Sequence, residues 1–191
     1  MTSPTTYSIA SDSAYITNGT LNFTGDECTS ITVDNSSTYC VRIKAEILKQ
    51  AVDATLIAIP FPSLDLHSES SQRIADTGQR AETVEVRGYL KHTVEGTTNE
   101  SAEDKAENLL KLAKQSENGL YLVFGSGSDQ VIYGTSSANK IFIKKLEITN
   151  NAKELFALSD YYSGGVISRV RKTQKSVMLV ALVGKNQFVK S

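Results

Sequence analysis

Across 191 residues there is no tryptophan, and there are only two histidines and two cysteines. Each shortage removes a class of function. Carbohydrate platforms hold sugars against broad aromatic faces, so the lack of tryptophan argues against a sugar site. His67 and His92 each stand without a second ligand at metal spacing, which leaves no metal centre to read. Two cysteines are too few for a disulfide framework. No stretch approaches the roughly 20 apolar residues needed to span a bilayer, so no membrane segment is expected. The net charge is -1 and the pI is near 6.1, so there is no bulk electrostatic case for gripping nucleic acid. The opening Met1-Thr2-Ser3-Pro4-Thr5-Thr6 has neither the basic region nor the apolar core of a secretory signal. Synthesis in a cytoplasm is the expectation, with any exit occurring inside an assembled particle. The Asn-X-Ser/Thr matches at Asn18, Asn22, Asn35 and Asn99 are read as chance in a Ser/Thr/Asn-rich chain.

Hydrophobic residues make up 40% and charged residues 21%, which suits a globular chain of one medium domain. The clearest signal lies in residues 82–148. In Thr83–Leu90, Val84, Val86 and Leu90 share one side while Glu85, Arg87 and Tyr89 take the other, the period of a half-buried strand. A helix is expected over 101–118, with Ser101 as N-cap and Asp104 completing an approximate capping box. Its apolar stripe is read as Ala102, Ala106, Leu109, Leu110 and Ala113, with acids in the first turns and Lys111 and Lys114 near the end. Gly119 closes the segment in the manner of a C-terminal cap. Strands follow at 120–124 and 141–148. In the latter, Ile141 and Ile143 face one way, and Phe142, Leu146 and Ile148 the other. Either both faces are covered or a bulge lies near Lys144-Lys145. Val177–Val183 is apolar on both faces and reads as a central strand.

The N-terminal half is less regular. Residues 1–13 are Ser/Thr-rich and read as a loose or docking arm ahead of a single β-rich domain over 14–191. Asn18-Gly19 is a type I′ signal that would pair Ile16 with Leu21 in a small hairpin. Cys28–Ile43 reads as a second hairpin, turning at Asp34-Asn35-Ser36-Ser37. That turn puts Ile31 opposite Cys40 and displaces the two sulfurs by roughly 10 Å, beyond disulfide reach. A shifted three-residue loop would align them; free, partly buried thiols are the favoured reading. Val52–Ile59 is a further apolar stretch closed by Pro60-Phe61-Pro62. Residues 60–81 hold no steady period and read as a long inter-strand loop, a length that usually marks function or disorder.

Chemistry was sought among the remaining polar residues. Gly125-Ser126-Gly127-Ser128 lacks the lysine of a phosphate-binding loop and no helical pattern follows it, so a hairpin turn is the reading. The carboxylates Glu82, Glu85, Asp65 and Glu69 have no neighbours that would split their pKa values for acid–base work. Lys144, Lys145, Arg169, Arg171, Lys172 and Lys175 form a modest basic set near Tyr161 and Tyr162, favoured as ordinary surface over a partner contact. No catalytic residue, cofactor site or metal ligand is assigned. The candidates are instead subunit contacts: Phe61, Leu64, Leu66 and Ile74 in the long loop, with Tyr161 and Tyr162.

Residues 82–90, the helix at 101–114, Leu120-Tyr121-Leu122-Val123-Phe124-Gly125 and Lys140–Ile148 together resemble, in element order, tail-tube and distal-tail proteins of tailed phages and related injection systems. The resemblance covers half to two-thirds of the chain and rests on pattern rather than a diagnostic motif. It implies a mainly β fold with one flanking α-helix, a β-sandwich or barrel with a long inter-strand loop that touches the neighbouring ring. It further implies a virion tail protein, made in the host cytoplasm, that assembles with copies of itself into stacked rings, typically sixfold. Such rings meet other tail or baseplate proteins and carry DNA only as passing cargo during genome delivery. Two other classes stand beside it: a β-sandwich binding module, an adhesin or carbohydrate-binding domain, and, less favoured, an enzyme. Size separates the first from the second, and turnover separates the third. Elemental analysis of protein purified without chelators is expected to find no stoichiometric transition metal; a metal lost on replacing His67 or His92 would overturn that reading.

Overall fold

The computed structural model describes residues 4–60, 72–95, 98–137, 139–150, 162–163, 166–167 and 174–184. Strands β1 (Thr5–Ser8), β2 (Ser13–Thr17), β3 (Thr20–Thr24) and β4 (Glu27–Val33) are short, whereas β5 (Cys40–Pro60) and β6 (Gln72–Lys91) are long. Strands β7 (Thr93–Glu95) and β8 (Thr98–Glu100) precede helix α1 (Ala102–Lys114). After it come β9 (Tyr121–Phe124), β10 (Val131–Tyr133), β11 (Lys140–Asn150), β12 (Tyr162–Ser163), β13 (Val166–Ile167) and β14 (Gln174–Gly184). Among the described residues the protein is thus mainly β with one α-helix, and every strand pair there is antiparallel.

A seven-stranded sheet runs β10-β9-β2-β5-β6-β14-β11, and a three-stranded sheet runs β1-β4-β3. Five strand spacings separate β9 from β11, about 24 Å if the sheet were flat. Yet Leu120, the residue before β9, exchanges two backbone hydrogen bonds with Ile141 of β11, at 2.8 and 3.1 Å. The sheet must therefore curl strongly toward itself. Its edges β10 and β11 do not pair with each other, so among the described residues it is not a closed barrel.

The curl encloses the main core. Ala14, Ile16, Val41, Ile43, Val84, Val86, Leu122, Ile141, Leu179 and Ala181 point inward, and α1 adds Ala102, Ala106, Leu109 and Leu112. On the opposite face, the small sheet covers only the β2, β9 and β10 side and the start of β5. There Tyr7, Cys28 and Ile31 pack on Tyr15, Cys40 and Val123. Bulges keep the alternation in phase. The expected irregularity at Lys144-Lys145 is present, because β11 slips register against β14 between Ile143 and Lys145. That slip returns Leu146 and Ile148 to the side of Ile141 and Ile143. A second bulge, between Ala45 and Ile47, lies beside Gly88, where a Cβ would stand 2.1 Å from the Lys44 carbonyl oxygen.

Both expected N-terminal hairpins are corrected. Strand β2 pairs with β5 and β9, whereas β3 pairs with β4, so Asn18-Gly19 carries the chain from one sheet to the other. Neither residue has positive φ, which a type I′ turn requires. Asn18 instead reaches back to the chain ahead of β5, accepting from the Tyr39 N–H at 2.7 Å and donating to the Ser37 carbonyl at 2.9 Å. A Cβ on Gly19 would lie 2.5 Å from the Thr32 carbonyl oxygen, so glycine is needed for close approach rather than for a turn. Likewise β4 pairs with β1 and β3, not with β5. Cys28 and Cys40 form no disulfide and are both buried in the second core. Residues 5–8 of the N-terminal arm are docked, since β1 pairs with β4 and Tyr7 is buried.

Residues 72–81 of the expected long loop are strand, paired with 53–60 of β5. The Leu56–Ile59 run propagates extended structure, and a second strand satisfies its backbone groups. Only 61–71 of that segment lie outside the described residues.

Helix α1 has the expected capping box: Ser101 Oγ accepts from the Asp104 N–H at 3.0 Å, and Asp104 Oδ2 accepts from the Ser101 N–H at 3.1 Å. Ser101 Oγ also donates to Asp104 Oδ2 at 2.7 Å, and this bond first, with that from the Ser101 N–H, holds the Asp104 carboxyl below its ordinary pKa. The helix expected over 101–118 stops at Lys114, with a separate 3-10 turn at Ser116–Asn118, and its stripe is corrected, Ala113 being only half-buried. Leu110 is 47% exposed, and the buried line is Ala102, Lys105, Ala106, Leu109 and Leu112, spaced by three and four. Lys105 stays in that line because its Nζ donates to Thr93 Oγ1 at 2.5 Å. Leu109→Ala should cost about 2–4 kcal/mol, Ser101→Ala about 1 kcal/mol, and Leu110→Ala no more than about 0.5 kcal/mol. Urea melts giving equal losses at the two leucines would refute this packing.

Candidate functional site

The least economical part of this fold is the far end of β5 and β6. Strand β14 accompanies β6 only from Glu82 to Lys91, and β2 accompanies β5 only from Cys40 to Lys44. Past Val52↔Glu82, among the described residues, the two long strands pair with each other alone, out to Pro60↔Gln72. Eight further residues at about 3.3 Å each make a two-stranded ribbon roughly 26 Å long. Residues 52–56 are exposed, with Val52 at 64% and Leu56 at 54%. A bare two-stranded ribbon is marginal in water, and apolar side chains on it are a cost unless something covers them.

The base of the ribbon is tied down. Gln50 Nε2 donates to the Tyr133 hydroxyl at 2.7 Å, and that hydroxyl donates to Glu82 Oε1 at 2.9 Å. One residue from each of β5, β6 and β10 thus meets where the ribbon leaves the body. Burial, helped by the Glu82 carboxylate, pushes the Tyr133 hydroxyl up to about 12.

The sequence candidates fall unevenly on this geometry. Ile74 is in β6 opposite Ala58, within the ribbon. Phe61, Leu64, Leu66 and Tyr161 lie outside the described residues, and Tyr162 belongs to the short pair β12–β13. Of the six, only Ile74 and Tyr162 thus fall among the described residues. Sequence reasoning missed Val52, Leu56, Gln50, Glu82 and Tyr133. An apolar run reaching Pro60 with no earlier stop signal was the clue to the ribbon; nothing local marks the triad, whose members are 32 to 83 positions apart.

Other candidates are accounted for structurally. The 125–130 segment is the expected turn, joining β9 to β10, and the Gly127 N–H donates to Glu27 Oε1 at 2.7 Å. Lys145 pairs with Glu147 at 2.7 Å and Lys175 with Glu103 at 3.8 Å, while Arg169, Arg171 and Lys172 lie outside the described residues. Burial pushes the Cys28 thiol up, which disfavours a reactive thiolate. Among the described residues, no group of three or more His, Cys, Asp or Glu is placed to hold a metal ion. Among them, too, no helix is long and apolar enough to cross a membrane.

No protein-family model matches this chain, and no curated protein matches it.

Because the folded state favours the protonated Tyr133 hydroxyl, its contribution is complete below the ordinary tyrosine pKa near 10 and is lost as pH rises toward about 12. Tyr133→Phe should cost about 1 kcal/mol at neutral pH. Between about pH 10 and 12 the gap between wild type and variant should narrow. Paired urea melts at pH 7, 10 and 11.5 check this; a gap that does not change with pH would refute the upward shift of the Tyr133 hydroxyl.

Proposed function

We propose that this chain is a structural subunit of a tail or tail-like tube, which self-assembles into stacked rings and forms a conduit for genome delivery. The projecting ribbon carries the reading. Its length, exposed Val52 and Leu56, and anchored base suit an element made to reach a neighbouring copy. The fold is sandwich-like in this reading, with the strongly curled sheet as the body of each subunit and the ribbon extending to the next. The resemblance noted in residues 82–148 supports the same class and implies sixfold rings, other tail proteins as partners, and DNA only as cargo. Neutral net charge suits a wall that should not grip what passes.

Electron microscopy of the purified chain is the direct test, with rings or tubes expected. A variant replacing residues 55–79 by Asn-Gly joins Ala54 to Arg80, which already face each other, through a turn favoured in hairpins. It should fold as well as wild type by circular dichroism and fail to form rings. A wild type that stays dispersed at every concentration and salt tested, or a variant that assembles unchanged, would count against the reading.

A further inference from the structure

The small sheet covers only one side of the large sheet's outer face. On the β6-β14-β11 side no described residue covers that face, although β14 is apolar there as well as toward the core. Val177, Leu179 and Ala181 are buried in the core, so Met178, Val180 and Leu182 point outward. Leu182 is 38% exposed, Met178 and Val180 are half-buried, and Ile47, beyond Arg87 in the Met178 row, is 50% exposed. A sheet face with an apolar central strand ordinarily has a second layer.

The charges beside that strand say what the layer is. Met178 pairs with Arg87 of β6 on one side and Glu147 of β11 on the other. Val180 pairs with Glu85 on one side and Lys145 on the other. The rows across the face therefore read positive–apolar–negative, then negative–apolar–positive. Each strand already pairs its own two charges, Arg87 with Glu85 and Lys145 with Glu147, so all four are held in place. Rotating a second copy by half a turn about an axis along β14 lays Arg87 over Glu147 and Glu85 over Lys145, in both directions. Met178, Val180 and Leu182 then meet their own counterparts. The alternative in-plane axis, across the strands, sets Glu85 over Glu85 and Lys145 over Lys145 when centred on Val180, and when placed to match the charges sets Leu182 over Ser176, so either way the match is poorer.

We propose that this face binds a second copy of the chain face to face, about a twofold axis along β14. The apolar strip supplies the attraction, and the four charges set the register and reject other pairings. The face is convex, so contact centres on β14, and the long Arg87 and Lys145 side chains reach across where the sheets diverge. Four strands over about six residues offer roughly 400 Å² per copy, so the pair should be weak and concentration-dependent. The association does not use the ribbon and is independent of the tube reading.

The test is a cross-link in the full chain. Val180→Cys places two thiols across the axis, and oxidised glutathione should join them into a covalent dimer. Glu85→Lys with Arg87→Glu keeps an acid beside a base on β6 but sets like charges across the interface. It should cut the cross-linking rate about tenfold or more. Adding Lys145→Glu with Glu147→Lys should restore it. If Val180→Cys impairs folding, Leu182→Cys probes the same axis. Cross-linking should survive replacement of the ribbon by Asn-Gly, which separates this outcome from failure to form rings. No cross-link from a thiol that maleimide labels freely would overturn the proposal, since the face is then open yet unpaired; a thiol that maleimide does not label would overturn it too, as that result points to cover by the chain's own residues. A cross-link indifferent to the charge swaps would overturn it equally.

Discussion

The antiparallel pairing of β5 with β6 is the constraint on which the other elements depend. These strands occupy the fourth and fifth places of the seven-stranded sheet, and each half of the sheet is built outward from one of them. Strand β5 receives β2 and, through it, the β9–β10 hairpin; β6 receives β14 and then β11. Register along this pair decides which residues face the core, because a slip of one residue would turn every side chain over. Two bulges adjust that register, and Gly88 admits the first by leaving room for the Lys44 carbonyl.

Curvature is the second consequence. A flat sheet of this width would leave α1 lying on an open surface. The Leu120–Ile141 bridge shows the sheet bent until its far strand meets the start of β9, which gives the small core residues of many strands a shared interior. The bulge after Ile143 belongs to the same device, since bulges raise local twist and bend. On the convex side the cost appears: one half is covered by the three-stranded sheet, and the other presents apolar and paired charged groups to whatever meets it. Among the described residues, the ribbon arises because the central strands are longer than the body they support, and the uncovered half-face because the sheet is wider than its second layer.

Local pattern was enough for much of this architecture. The alternation of Val84, Val86 and Leu90, the Ser101–Asp104 capping box, the irregularity at Lys144-Lys145 and the turn at 125–130 all depend on residues close in sequence. In each case local pattern and tertiary structure agree. The failures have a common form. Asn18-Gly19 and Asp34-Asn35-Ser36-Ser37 are good turn sequences, and the chain does turn there, but into a different sheet. A turn motif states that direction changes, not which strand will be the partner. Leu110 was misassigned because a stripe of helical spacing does not say where its boundary lies when one side faces water. Residues 72–81, with Asp76-Thr77-Gly78, carry little strand signal of their own and become strand because β5 is beside them.

Composition and short-range periodicity determined that this chain is mainly β with a single capped helix, and that its histidines, cysteines and carboxylates form no recognisable reactive set in sequence. Those properties follow from side-chain chemistry and from spacings of two, three and four residues. Tertiary structure alone decided which strands are neighbours, that the two cysteines share a core without bonding, and that Gln50, Glu82 and Tyr133 meet at the root of a projecting ribbon. It alone set Arg87 and Glu85 across β14 from Glu147 and Lys145. The physical reason is that strand partnership is a long-range choice. It is fixed by the competition among whole sheets for burial and backbone hydrogen bonds, and a strand carries almost no local record of the partner that wins.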